Sequence, residues 1–174
     1  MTSSKNISLQ MPRNRNLNCI AMGLIASITS IGCASVHTER VISATPEEVW
    51  SVLADEEGYR DWNPVLVIKK GSLQQGQTVT YDMTDGAGKK SEVKSEVLEV
   101  TPQRKLRQYG GVWGVITFDH TWSLEAVAGG TKVTQHEEYR GVYVPFWNRD
   151  WVEPAYAKAA ERLAERVESL RVKT

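Results

Sequence analysis

The stretch His120–Gly141, HTWSLEAVAGGTKVTQHEEYRG, decides how the rest of the chain is read. Apolar and polar side chains alternate on either side of Gly129-Gly130, the pattern of two antiparallel strands joined by a tight turn. With Gly129-Gly130 as a two-residue turn, Ala128 pairs with Thr131. His120 then faces Tyr139, Trp122 faces Glu137, Leu124 faces Gln135, and Ala126 faces Val133. Phe118, Trp122 and Leu124 share one face by alternation and are apolar, which makes that face the concave, helix-facing one. It also carries His120, Gln135, Glu137 and Tyr139. Four polar groups set among apolar walls are the composition of a ligand pocket.

The same alternation takes apart a set that looks like a metal site in the linear sequence. His120 points inward while His136 and Glu138 point outward, so the three do not converge on one ion. The expectation is therefore no metal and no cofactor. His120 with Glu137 as its orienting carboxylate reads as an acid–base pair. It also reads as a core histidine beside a buried, hydrogen-bonded acid. No Ser, Cys or Lys nucleophile pattern accompanies them. The run Gly110-Gly111-Val112-Trp113-Gly114 lacks the strand-to-helix context of a phosphate loop.

Outward from the hairpin, period-two segments predict strands over 65–70, 77–83, 91–100, 105–109, 116–126 and 131–140, separated by glycine-rich or proline-containing turns. A further strand is expected at His37–Ser43. Thr45-Pro46-Glu47-Glu48 then has the form of a helix start: a threonine cap, proline at the first helical position and glutamate three after the cap. Asp55–Asp61 fits a second short helix, ended by the Trp62-Asn63-Pro64 corner, because the residue before proline is pushed out of helical conformation. At the other end, Asp150 and Glu153 form a cap-like pair. Tyr156, Ala159, Leu163, Val167 and Leu170 then recur at helical spacing on one face. The sum is an α+β domain of order β-α-α-β-β-β-β-β-β-α, whose last helix must cover the apolar face of the sheet.

SATPEEVWSVLADEEGYRDWNPVL (residues 43–66), LEVTPQRKLRQYGG (residues 98–111) and the hairpin above resemble the opening helices, the Trp-Asn-Pro corner and the later strands of the START-like, or SRPBCC (polyketide cyclase/dehydrase-like), superfamily. The resemblance covers Val36 to about Leu170. It implies the helix-grip fold, a curved sheet around a long C-terminal helix, and a hydrophobic small molecule or lipid as the ligand; only some members are enzymes. Trp62, at a corner that bounds the cavity mouth in that family, reads either as a wall residue or as plain core. With Tyr109, Trp113, Phe118, Trp122, Trp147 and Trp151, it joins His120, Gln135, Glu137 and Tyr139 as the candidate ligand-binding set. The segment from Val142 to Trp147 is unusually apolar for a connection. It fits core packing under the helix, a lid over the mouth, or contact with a bilayer.

The N-terminal segment suggests where a bilayer would come from. Of 21 basic and 21 acidic residues in the 174-residue chain, Lys5, Arg13 and Arg15 fall before residue 33 with no acid beside them. A balanced total gives no reason to expect nucleic acid as a partner. The basic head is followed by the apolar run Leu17–Ile31, the order of a secretory signal, and at 15 residues it is shorter than the roughly 20 needed to span a bilayer. SIGCAS (residues 30–35) resembles a bacterial lipobox, with Ser30 where that family favours leucine. The resemblance implies a signal peptide over 1–32, a ligand-binding domain over 33–174, and acyl chains on Cys33. It also implies a periplasm-facing home in the cell envelope, with Ala34 favouring the outer membrane. An uncleaved anchor and cleavage by the ordinary signal peptidase remain alternatives, as does a start at Met11. Cys19 and Cys33 are the only cysteines, so the domain holds no disulfide.

Three functions compete on this reading: a membrane-anchored binding protein, a cyclase- or hydrolase-like enzyme using His120 and Glu137, and an envelope scaffold.

Overall fold

The computed structural model describes residues 32–172. The signal-like run Leu17–Ile31 lies outside the described residues. Seven strands, β1 (Gly32–Ile42), β2 (Leu66–Lys70), β3 (Thr78–Thr84), β4 (Lys90–Thr101), β5 (Lys105–Val112), β6 (Ile116–Val127) and β7 (Gly130–Gly141), form one antiparallel sheet. Their spatial order is β1-β7-β6-β5-β4-β3-β2. Two short helices, α1 (Pro46–Leu53) and α2 (Tyr59–Trp62), lie between β1 and β2, and α3 (Val152–Arg171) closes the chain. The sheet curves around α3, the helix-grip architecture the sequence implies.

Local chemistry accounts for the helix starts. Thr45 Oγ1 accepts from the Glu48 amide at 3.3 Å while Glu48 Oε2 accepts from the Thr45 amide at 2.7 Å. This reciprocal cap satisfies two otherwise orphaned donors. The second helix is shorter and later than 55–61, because the Asp55 carboxylate accepts from the Gly58 amide and holds that stretch as a turn. After Trp62, the Asn63 side-chain carbonyl accepts from the amides of Val65 and Leu66 at 3.0 and 2.9 Å, turning the chain into β2. The cap foreseen for the last helix is not made. Trp151 occupies the N-cap without a side-chain bond, and Pro154 falls in the first turn, where no intrahelical donor is needed. Asp150 instead donates its own amide to Asn148 Oδ1.

The β6–β7 register differs from the expected one by two residues. His120 pairs with Glu137, Trp122 with Gln135, and Phe118 with Tyr139. The turn residues are Ala128 and Gly129, and Gly130 is already in β7, opposite Val127. Gly130 has φ +144°, and a Cβ there would collide with the Ile42 carbonyl where β1 crosses. The glycine is used for backbone approach, not for the turn. A shift of two preserves which face each side chain takes. The division into inner and outer residues therefore survives: His136 and Glu138 stand on the outer face, with His136 paired to His37 of β1.

The interior is filled at one end and hollow at the other. At the filled end Val49, Leu53, Trp62, Trp122, Val133 and Leu163 pack together in one buried cluster. Each such side chain contributes about 1.5–3 kcal/mol by leaving water. At the other end Val36, Val65, Tyr139, Val152 and Tyr156 are buried in a second cluster. Around it the sheet and α3 enclose a space.

Candidate functional site

That space is a cavity of about 520 Å3, within the range of small-molecule sites. Its walls are largely apolar: Leu66 and Met83 from β2 and β3, Ile116 and Phe118 from β6, and Trp147 and Trp151 from the connection into α3. Two wall residues, Val112 and Tyr143, are also exposed, at 61% and 48%, and mark the mouth. Gly110 makes room for the wall, since a Cβ there would meet the Phe118 ring.

Glu92 and Lys94 are exposed members of the wall, and the buried polar groups lie deeper inside. Glu137 on β7 is buried, and the hydroxyls of Tyr139 and Tyr156 both donate to its Oε2. Tyr139 is two residues along the same face of β7, whereas Tyr156 comes from α3, so the carboxyl ties sheet to helix. Burial pushes the Glu137 carboxyl up to about 7, against the two tyrosine donors, which favour the charged form. Burial also raises both phenols far above their ordinary range. Neither donor reaches Oε1, and Glu137 lines the cavity. The site therefore presents one carboxyl that changes charge near neutrality inside an apolar chamber.

His120 lies opposite Glu137 across the strands, but their hydrogen bonds go elsewhere. The Gln135 amide Nε2 is 3.2 Å from His120 Nε2. An amide nitrogen only donates, so the ring accepts there and carries its proton on Nδ1. Burial drives the imidazole down to about 4, so it stays neutral near pH 7. The Tyr156 and Trp122 rings meet it edge-on at 5.5 and 5.7 Å. Further along the wall, the Gln108 amide donates to the Tyr81 hydroxyl at 2.6 Å.

Of the residues singled out in the sequence, Phe118, His120, Glu137, Tyr139, Trp147 and Trp151 line the cavity. The others are placed differently. Trp62 is 3% exposed and meets Trp122 edge-on in the filled end, so both indoles are core, not wall. Gln135 stands behind His120, lining a separate small space beside Trp122. Tyr109 takes the outer face, because its neighbour Gln108 takes the inner one. Trp113 is 89% exposed at the tip joining β5 to β6 and does not reach the chamber. Tyr156, Gln108 and Tyr81 were missed as site residues. Tyr156 had a signal, being the polar-tipped member of the apolar stripe of the last helix. Gln108 had one as well, as a polar residue in phase with Leu106. Among the described residues no group of three His, Cys, Asp or Glu side chains is placed to hold a metal.

The family described as "Polyketide cyclase / dehydrase and lipid transport" matches residues 34–168. No curated protein matches the sequence. Solved structures do match in fold. A protein of Chromobacterium violaceum is 20% identical with a TM-score of 0.65, the match covering 77% of this chain and 96% of that one. A protein of Rhodobacter sphaeroides is 17% identical with a TM-score of 0.64, covering 80% and 99%. The di-domain ARO/CYC BexL, from the BE-7585A biosynthetic pathway, is 12% identical with a TM-score of 0.65; the match covers 78% of this chain and half of that one.

Proposed function

This chain belongs to the polyketide cyclase / dehydrase and lipid transport family, and from that premise we propose that it is a binding protein for a hydrophobic small molecule or lipid, tethered to the bacterial envelope at Cys33. One observation carries the binding reading: an open, largely apolar cavity ending in the Glu137–Tyr139–Tyr156 cluster. Apolar ligand surface moved from water to the walls contributes about 25 cal/mol per Å2. The single carboxyl at the inner end then fixes which end of the ligand enters first, accepting from a donor when ionised and donating when protonated. The tether reading rests on the lipobox-like SIGCAS and the apolar run before it. It puts the domain on the periplasmic side, with Ala34 favouring the outer membrane.

The test is native mass spectrometry of the full chain purified from membranes, paired with Met83→Trp, which fills the cavity. Wild type carries a stoichiometric apolar adduct and the variant does not. Wild type without an adduct, even after screening against a total lipid and metabolite extract, sinks the binding reading.

A second reading, acid–base catalysis, draws on the Glu137 carboxyl, which titrates near neutrality within the chamber. In that reading Glu137 moves the proton, and neutral His120 polarises the substrate. Turnover of a bound compound that is lost in Glu137→Gln while binding persists would favour it. Binding without turnover would leave the first reading in place.

A further inference from the structure

Six apolar side chains stand exposed together at the mouth end: Val112, Trp113, Val115, Val142, Tyr143 and Phe146, with Trp113 at 89% and Phe146 at 81%. They come from two segments some thirty residues apart, which backbone hydrogen bonds lock into one surface. The Val142 amide donates to the Gly114 carbonyl at 3.2 Å and the Tyr143 amide to the Val115 carbonyl at 3.0 Å. Scattered exposed hydrophobes are ordinary, but a contiguous cluster led by a bare tryptophan and phenylalanine marks an interaction surface.

The chain itself indicates what covers it. β1 begins at this surface: Gly32 pairs with Gly141, and a Cβ there would meet Pro145 and Val144 of the short 3-10 turn Val144–Phe146. Cys33, the next residue, is exposed. The apolar run Leu17–Ile31 enters the domain from upstream of Gly32. Whether that run is kept as an anchor or replaced by acyl chains on Cys33, the membrane attachment joins the domain beside the patch.

We propose that this patch is a bilayer-docking face, in which Trp113 and Phe146 enter the phospholipid interface and the cavity mouth opens onto the membrane. The proposal rests on the tether reading for its direction and on the patch for its footprint. Indole and phenyl groups suit the depth where headgroups meet acyl chains. Val112 and Tyr143 belong both to the patch and to the cavity wall, so the mouth lies within the face. An apolar ligand then passes between bilayer and chamber without crossing water.

The experiment uses the full chain in vesicles of phosphatidylethanolamine and phosphatidylglycerol, part of the lipid brominated at shallow acyl positions, where bromine quenches tryptophan on contact. Wild type, Trp113→Phe and Trp50→Phe are compared; Trp50 is on α1, packed against the filled end of the interior. Quenching is expected to be similar in wild type and Trp50→Phe and to fall by at least half in Trp113→Phe. Vesicle-bound protein whose quenching ignores Trp113→Phe overturns the docking face and leaves the tether standing. Protein absent from the vesicles overturns both. Dimerisation in solution that shields Trp113 from bromolipid assigns the patch to a second copy and overturns the proposal.

Discussion

Glu137 is the residue on which the site's electrostatics turn. Its carboxyl is raised in the folded protein to about 7 from an ordinary value of 4.5, chiefly by burial. Below the ordinary value both folded and unfolded chains are protonated and folding carries no penalty. As pH rises towards 7, the unfolded chain ionises first and the folded state loses stability. His120 works in the opposite sense, its pKa being lowered by burial to about 4, so its neutral ring costs stability as pH falls below 6.5. Glu137→Gln should therefore gain on wild type as pH rises from 4.5 to 7, by up to about 3 kcal/mol, in urea denaturation at stepped pH. A constant difference across that window would mean the carboxyl is not held neutral. That Glu137 faces inward among apolar residues was readable from alternation alone. Tyr139 was readable on the same face, but Tyr156 was not, because it arrives from a helix nineteen residues on, and a period gives a face but no partner.

The β6–β7 hairpin shows what a pattern fixes and what it leaves open. Alternation assigned each side chain to its face, while the turn was placed one residue late, which moves every pairing by two, because two adjacent glycines invite the standard two-residue turn. Gly129 is in the turn with φ +92° and nothing within 4 Å of an added Cβ; Gly130 has φ +144° and no room. The two glycines should thus respond differently. Gly129→Asn should cost under about 1 kcal/mol, since asparagine tolerates positive φ. Gly130→Val should cost about 3 kcal/mol or more by combining strain with collision against β1. Equal losses in thermal denaturation would contradict this register. The crowding at Gly130 comes from a strand nearly ninety residues earlier, which no local window contains. The same reason hid the extension of β1 back to Gly32, whose partner Gly141 lies more than a hundred residues on.

Over the whole molecule, stability and function occupy opposite ends of one sheet. Leu163 is fully buried in the filled end, and Leu163→Ala should lose about 2–5 kcal/mol. Met83 lines a space that is already hollow, so Met83→Ala should lose about 1 kcal/mol while changing ligand affinity. Calorimetry that finds the two losses equal would mean the chamber is packed in solution. The fold class and the order of elements along the chain were legible because they follow from element types and their sequence. The position of the hollow was not, because it depends on which large side chains face each other across the sheet and α3. Trp62 illustrates the difference: its sequence context suits a wall or a core equally, and only its edge contact with Trp122 decides for core.

The pairing of β1 with β7 also sets an order of events during the protein's manufacture. Val36 is opposite Glu137, so the first strand of the domain cannot be seated until some hundred further residues have been made and brought back. Once β7 arrives, the backbone on either side of the Gly32–Cys33 bond is engaged in the sheet, opposite Gly141 and Arg140. The peptidase that the proposed tether calls for would need that bond free and extended. Under the proposed tether, maturation at that bond belongs to the period before closure of the sheet, and β7 acts as the timer that ends it.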